Sequence, residues 1–463
     1  MSNGEARPNI LFLMTDQQRW DAMGCSGGWV RTPNMDRIAS EGMRFSRCVT
    51  NSPVCIPARV SMATGWYPHN TGVWQNLPYA MPPETPTWMQ VIRDAGYCTS
   101  VFGKTHLHEH SGDLRDREHL IRAYGLDVVD EIGGPRASAR VKSHMTEMWQ
   151  RRGLWEAYRD DYSERFSNKP HVVRPSTLPL DAYADVYVGQ QAKHYLERLD
   201  TDAPWFCWVS FGGPHEPWDT PEPYAGLYDP EQMPPPVPKP GPAESRPTGY
   251  LDERLANAPA LEPGEAARLR ADYAGKVTLI DDQVGEILEV IAARGELDNT
   301  IITLTSDHGE LNGDYGLIYK ETFLNGAVRV PLLVRTPWMP GSSAAGRVCD
   351  TPVEWFDLGP TLVELAGAEL NHRQFARSLV PVLEDPRRLH RDEAISELRG
   401  EVMVMDRRWK LVLNRSGRPY LLFDLHNDPQ EMRNLIGAPG IDAVTEPLRL
   451  RILERILQSQ VYR

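Results

Sequence analysis

The sequence predicts an α/β protein: a large, mostly parallel central sheet flanked by helices, followed by a smaller C-terminal α+β domain. Three observations predict it. Continuous apolar runs of strand length alternate with longer stretches of helical texture, the pattern of parallel strands buried on both faces. Two of those runs end on acidic residues, Asp16 and Asp307, and ligands of such sheets bind at the carboxyl ends of strands. Beyond about residue 372 the apolar runs shorten and turn residues separate them, as in an antiparallel meander.

Asn9 to Met14 is an unbroken apolar run that reads as a buried strand. Pro33 opens a helix that continues to Ala39 and that Gly42 stops. Thr87 to Ala95 reads as a helix and Cys98 to Phe102 as the strand after it. Leu180 to Leu199 and Ala266 to Arg294 are long helices, each followed by a strand, at Trp205 to Phe211 and at Asn299 to Thr305. Val330 to Arg335 is one more strand. In the C-terminal part, Glu401 to Asp406, Lys410 to Leu413 and Tyr420 to Asp424 read as short antiparallel strands, with a last helix at Glu446 to Ser459. This divides the chain into a large α/β domain, 1–372, and a small domain, 373–463. Two stretches interrupt the alternation and are expected to shape specificity. Residues 107–178 are polar with little strand signal; within them Trp155, Tyr158, Tyr162 and Phe166 repeat at helical spacing, which favours the core face of an inserted helix over an aromatic pocket wall. Residues 214–263 hold 14 of the 39 prolines, which excludes regular helix or sheet and predicts a long surface excursion.

The 463 residues carry 50 Lys and Arg against 63 Asp and Glu, a net charge of −13. That balance argues against nucleic acid or an anionic membrane surface as partner, and at first sight against an anionic substrate. With 41% hydrophobic and 24% charged residues the chain is not a disordered one, and six cysteines in this length exclude a disulfide scaffold. No apolar run approaches the ~18 residues that cross a bilayer. The polar start and the short run Ile10 to Met14 fall below the roughly 7–15 apolar residues of an export signal. The expectation is a soluble, cytoplasmic protein; a homo-oligomer is left open.

The most informative stretch is Cys55-Ile56-Pro57-Ala58-Arg59-Val60-Ser61-Met62-Ala63-Thr64-Gly65. Pro57 and Gly65 are placed to start and stop a short helix, with Cys55 at its N-terminus, where free N–H groups favour an anion. Arg59 lies one turn on. Read alone, Cys55 is either a low-pKa nucleophile or a buried thiol beside a salt-bridged arginine. The whole pattern resembles the signature of the type I sulfatases, in which the cysteine is oxidised to Cα-formylglycine. Further resemblances run from about residue 8 to 435: Pro8 to Gln17, Thr32 to Gly42, Gly103-Lys104-Thr105-His106, Pro214-His215-Glu216-Pro217, Ser306-Asp307-His308-Gly309 with Tyr319-Lys320, and Phe423 to Leu435.

The resemblance implies an alkaline-phosphatase-superfamily fold and one divalent metal, calcium by family habit and manganese or magnesium otherwise. The implied ligands are Asp16, Gln17, Asp307, His308 and residue 55. Hard oxygens and imidazole suit such an ion. Asp16-Gln17 with Asp307-His308 is similar to the choline-sulfatase and phosphonate-monoester-hydrolase branches; many sulfatases carry a second acid and an asparagine at Gln17 and His308. It also implies a mechanism: hydrated formylglycine attacks sulfur, a covalent sulfated intermediate forms, and sulfate is expelled. His106 matches the base of the second step and His215 the acid for the leaving alcohol. Lys104 and Lys320 match cations on the sulfate, Arg59 the residue that orients the diol, and Asn76 a substrate contact in the choline-sulfatase branch. A formylglycine-generating enzyme is the implied maturation partner, and a small-molecule or saccharide sulfate ester the implied substrate. Two alternatives stand beside this: a phosphonate or phosphate monoester or diester hydrolase on the same fold, and an unmodified protein that only binds anions. The phosphonate branch departs from Gly-Lys-x-His, whereas this chain keeps Lys104 and His106, which favours sulfate.

Overall fold

The computed structural model describes residues 7–169, 171–240 and 247–461. The first polar residues, residue 170 of one predicted insertion and 241–246 of the other lie outside them. The principal elements of the larger part are β1 (Asn9–Asp16), α1 (Pro33–Glu41), β2 (Met43–Phe45), α2 (Cys55–Thr64), α3 (Trp88–Asp94), β3 (Cys98–Gly103) and β4 (Val128–Glu131). They continue with α4 (Trp155–Asn168), α5 (Ala184–Arg198), β5 (Trp205–Pro214), α6 (Glu265–Ala293), β6 (Thr300–Ser306), β7 (Leu332–Arg335), β8 (Arg347–Cys349) and α7 (Leu358–Leu365).

The strands form one eight-stranded sheet in the order β4-β3-β5-β1-β6-β7-β2-β8. Neighbours run parallel except around β7, which is antiparallel to both β6 and β2. β1 lies at the centre, and all eight of its residues are buried. Strand alternation divides it between two cores. Ile10, Phe12 and Met14 pack with α2, α3 and α7, whereas Leu11 and Leu13 pack with α1, α5 and α6. The sheet is thus covered on both faces, as its unbroken apolar runs require. A second, four-stranded antiparallel sheet follows: β9 (Ala394–Leu398), β10 (Glu401–Met405), β11 (Trp409–Leu413) and β12 (Pro419–Asp424), with α8 (Asp442–Gln458) beyond it. Among the described residues no helix is long and apolar enough to cross a membrane.

Three readings of the sequence change. The polar stretch 107–178 is not outside the sheet: it supplies the edge strand β4, of only four residues. The proline-rich excursion contains a regular helix, Tyr250–Ala256, in a gap between its prolines. The aromatic stripe of α4 splits. Trp155 and Tyr158 are buried in the core. Tyr162 and Phe166, half-buried, pack against each other with rings tilted by 39° and centroids 4.7 Å apart, and Phe166 lies under the Arg136 guanidinium at 5.0 Å.

Candidate active site

The parallel pairing of β1 with β6 sets Thr15 opposite Ser306, so the residues that follow, Asp16 and Asp307, emerge side by side at the carboxyl ends of the two central strands. α2 begins at Cys55 and closes at Gly65, whose φ of 69° is left-handed, a conformation glycine adopts without cost. Asn76 Oδ1 accepts the free Ile56 amide at 2.9 Å, capping this helix beside Cys55. Cys55 Sγ lies 3.0 Å from His308 Nε2. The His308 ring is turned that way because its Nδ1 contacts the Gly309 carbonyl at 3.1 Å, which leaves Nε2 facing Cys55 and the carboxylates.

Asp16, Cys55, Asp307 and His308 are all buried and offer ligand atoms within 4.8 Å of one another. Asp16 Oδ1 is buried with no hydrogen-bond partner, an expensive state unless something positive meets it. Two carboxylates, an imidazole and an orphaned oxygen suit one divalent cation. Arg59, wholly buried, lies behind them. Its Nη2 donates to Asp16 at 3.0 Å, its Nε to Asp307 at 2.8 Å, and its Nη1 to the Lys104 carbonyl and Ser210. Through these bonds it orders the two carboxylates.

β3 ends at Gly103, with φ of 110°, where a Cβ would sit 1.9 Å from the Ser210 carbonyl oxygen; only glycine allows that approach. The next residue, Lys104, reaches Asp16 with its ammonium at 2.5 Å. His106 follows with its Nδ1 buried and unpartnered, its ring stacked at 4.5 Å on His110. On the far side, His215 Nδ1 contacts the Glu216 carbonyl at 2.8 Å and its Nε2 faces Lys320 Nζ at 2.8 Å. The main-chain amide of Gln17 donates to Asp307 Oδ1 at 3.1 Å, while its side chain reaches other partners. Its side-chain oxygen accepts from Lys320, and its side-chain amide donates to Glu310 and, at 2.8 Å, to Glu216.

Charge follows from this packing. Burial pushes the Cys55 thiol up, but Lys104, Lys320 and His308 outweigh it and hold the group well below an ordinary thiol. Asp16 is held well below the carboxylate range against burial and Cys55, chiefly by Lys104, His215 and Arg59. Burial, then Lys104 and His110, push His106 well down against the opposing pull of Cys55. Burial and neighbouring Glu216 push Glu310 up to about 7.

Above the carboxylates opens a cavity of about 660 Å³ lined by Cys55, Asn76, Lys104, His106, His215 and Lys320 among others. These six, the buried Asp16, Arg59, Asp307 and His308, and Gln17 are the residues singled out in the sequence, gathered at one place. Others carried no signal. Glu216 and Glu310 matter because folding brings both to Gln17. Arg136, from the polar insertion, closes on Glu216 at 2.5 Å. Glu131 at the end of β4 accepts from Thr105 and meets His108 at 2.8 Å and His110 at 3.2 Å. Only the His-x-His-x-His run 106–110 hinted at this last cluster.

Comparison with known proteins agrees with the geometry. A sulfatase family model matches residues 8–368, and one described as N-sulphoglucosamine sulphohydrolase, C-terminal, matches residues 313–458. An arylsulfatase of Clostridium perfringens is 27% identical, with 97% of this chain and 94% of the relative covered. A choline-sulfatase of Rhizobium meliloti is 29% identical, with 94% and 83% covered. The crystal structure of a phosphonate monoester hydrolase of Agrobacterium radiobacter superposes with a TM-score of 0.77 at 26% identity, covering 98% and 96%. The chain belongs to the sulfatase family, within the alkaline phosphatase superfamily. It is an enzyme of that family, a hydrolase of sulfate esters.

Proposed function

We propose that this enzyme cleaves a small-molecule or saccharide sulfate ester with a formylglycine made from Cys55 by a formylglycine-generating enzyme, and with one divalent cation held by Asp16, residue 55, Asp307 and His308. The observation that carries this is the placement of Cys55 Sγ, at a helix N-terminus 3.0 Å from His308 Nε2, inside a group whose Asp16 Oδ1 has no partner. The cation, calcium first and manganese or magnesium as alternatives, would supply charge that offsets the sulfate oxygens and lowers the pKa of an attacking hydroxyl. As formylglycine, residue 55 supplies a hydrated aldehyde, one hydroxyl to attack sulfur and one to release sulfate.

The remaining roles fall to this chain's own groups. Arg59 and Lys104 hold Asp16 in its ionised state. His106, in contact with residue 55 and with its Nδ1 unpartnered, accepts the proton whose loss from residue 55 releases sulfate. His215, its Nδ1 facing the Glu216 carbonyl, directs Nε2 at Lys320; this pair delivers a proton to the leaving oxygen. Gln17, with its side-chain oxygen taken by Lys320, orients that lysine instead of ligating. Six free cysteines fit a reducing cytoplasm.

The likeness to a phosphonate monoester hydrolase favours a second activity on the same site. The retained Lys104 and His106 place sulfate first. The test is the ratio of kcat/KM for 4-nitrophenyl sulfate to that for a phenyl phosphonate monoester, on formylglycine-containing protein. Sulfate should lead by tenfold or more, about 1.4 kcal/mol of transition-state preference; a ratio in the other direction makes the phosphonate reading the right one.

A further inference from the structure

The cavity walls hold more positive charge than a sulfate group and its catalytic residues account for. Three acids line it, and each is already matched. Glu216 pairs with Arg136 at 2.5 Å, Glu109 with Arg117 at 3.0 Å, and Glu321 with Arg399 at 3.2 Å. Two lining guanidinium groups have no acidic partner among the described residues. Arg254 donates only to the main-chain carbonyls of Ile318 and Lys320, at 3.0 and 3.1 Å, and its Nε is buried without a partner. Arg140, exposed, makes neither an ion pair nor a side-chain hydrogen bond with any described residue. Ile56, Leu77, Pro78, Pro135, Ala137 and the Tyr319 ring supply the apolar part of the lining.

We propose that the natural ester carries a second anionic group, a carboxylate or another sulfate, bound by Arg140 and Arg254; this rests on the sulfate-ester reading of the site. Arginine is suited to such groups because its planar fork donates two parallel hydrogen bonds. The two residues come one from each insertion, 107–178 and 214–263, so the segments that depart from the plain alternation each bring a cation to the same cavity. A zwitterionic ester such as choline sulfate would bring its quaternary ammonium group to these arginines, with no free carboxylate to receive it.

The test compares 4-nitrophenyl sulfate, the same ester with a ring carboxylate, and choline sulfate, on wild type and on Arg140→Gln and Arg254→Gln. The carboxylated ester should show the higher kcat/KM in wild type. Each substitution should raise its KM on the order of tenfold, the worth of a hydrogen bond to a charged group, with a much smaller change for 4-nitrophenyl sulfate, whose only anionic group is the scissile sulfate. Arg254 also holds the Ile318–Lys320 carbonyls, so Arg140→Gln is the cleaner variant. Inhibition by benzene-1,3-disulfonate against benzenesulfonate gives a second reading without turnover: the dianion should bind tighter, and lose that advantage in Arg140→Gln. Equal kinetics for the carboxylated and the plain aryl sulfate, equal inhibition by the two sulfonates, or a preference for choline sulfate overturns the proposal. Turnover of 4-nitrophenyl sulfate by wild type keeps the sulfate-ester reading intact in every one of those cases.

Discussion

At the scale of single residues, Asp16 carries the most consequence. It takes hydrogen bonds from Arg59 and Lys104 on one oxygen and leaves the other buried and bare. A cation that satisfies this oxygen binds the folded chain and not the unfolded one, so it must raise stability by mass action. Adding calcium or manganese to chelator-treated protein at about 100 times Kd should stabilise it by about 2.7 kcal/mol, read as a rise in the thermal midpoint. Asp16→Asn should respond far less, and no response in wild type would remove the cation from the account. Asp16, Asp307, His308, Cys55 and the two lysines were legible in the sequence because each stands in a recognisable local pattern. The role of Gln17 was not. Whether an amide ligates or orients depends on Lys320, Glu216 and Glu310, which approach it only in the folded chain.

At the scale of elements, β4 shows how a functional cluster escapes sequence reading. Val128-Val129-Asp130-Glu131 is four residues long and half acidic, too short and too polar for an alternation signal. Yet its pairing with β3 brings Glu131 under the loop that carries His106. Burial pushes Glu131 up and His108 down, but their mutual attraction prevails in both, holding Glu131 well below 4.5 and His108 above 6.5. The depressed carboxyl stabilises above pH 4.5 and loses that contribution as pH falls toward its folded value. The raised imidazole stabilises below pH 6.5 and loses its contribution as pH rises through its folded value. Glu131→Gln breaks a buried pair and should cost about 3–5 kcal/mol. In urea denaturation its deficit against wild type should be largest between the two unfolded values, 4.5 and 6.5, and shrink on either side. A deficit independent of pH would reduce Glu131 to packing. The same shortness hid β2 and β8, three residues each, and the apolar run of β7 could not reveal its antiparallel direction.

At the scale of the whole molecule, the central sheet was legible because strands buried on both faces leave unbroken apolar runs, and the helices because their lengths and glycine stops are local. What the global numbers concealed was the sign of the site. A net charge of −13 argues against an anionic substrate, but a cavity bounded by Lys104, Lys320, Arg136, Arg140 and Arg254 reverses it locally. The central claim is that residue 55 does not act as a cysteine. The direct measurement is a mass spectrum of the peptide containing residue 55, taken on the same preparation whose sulfate-ester turnover is assayed. The account predicts a peptide that has exchanged its sulfur and two hydrogens for one oxygen, in a fraction that tracks activity across preparations, and no turnover by Cys55→Ala. A wholly unmodified thiol in protein that hydrolyses sulfate esters at full rate would contradict it.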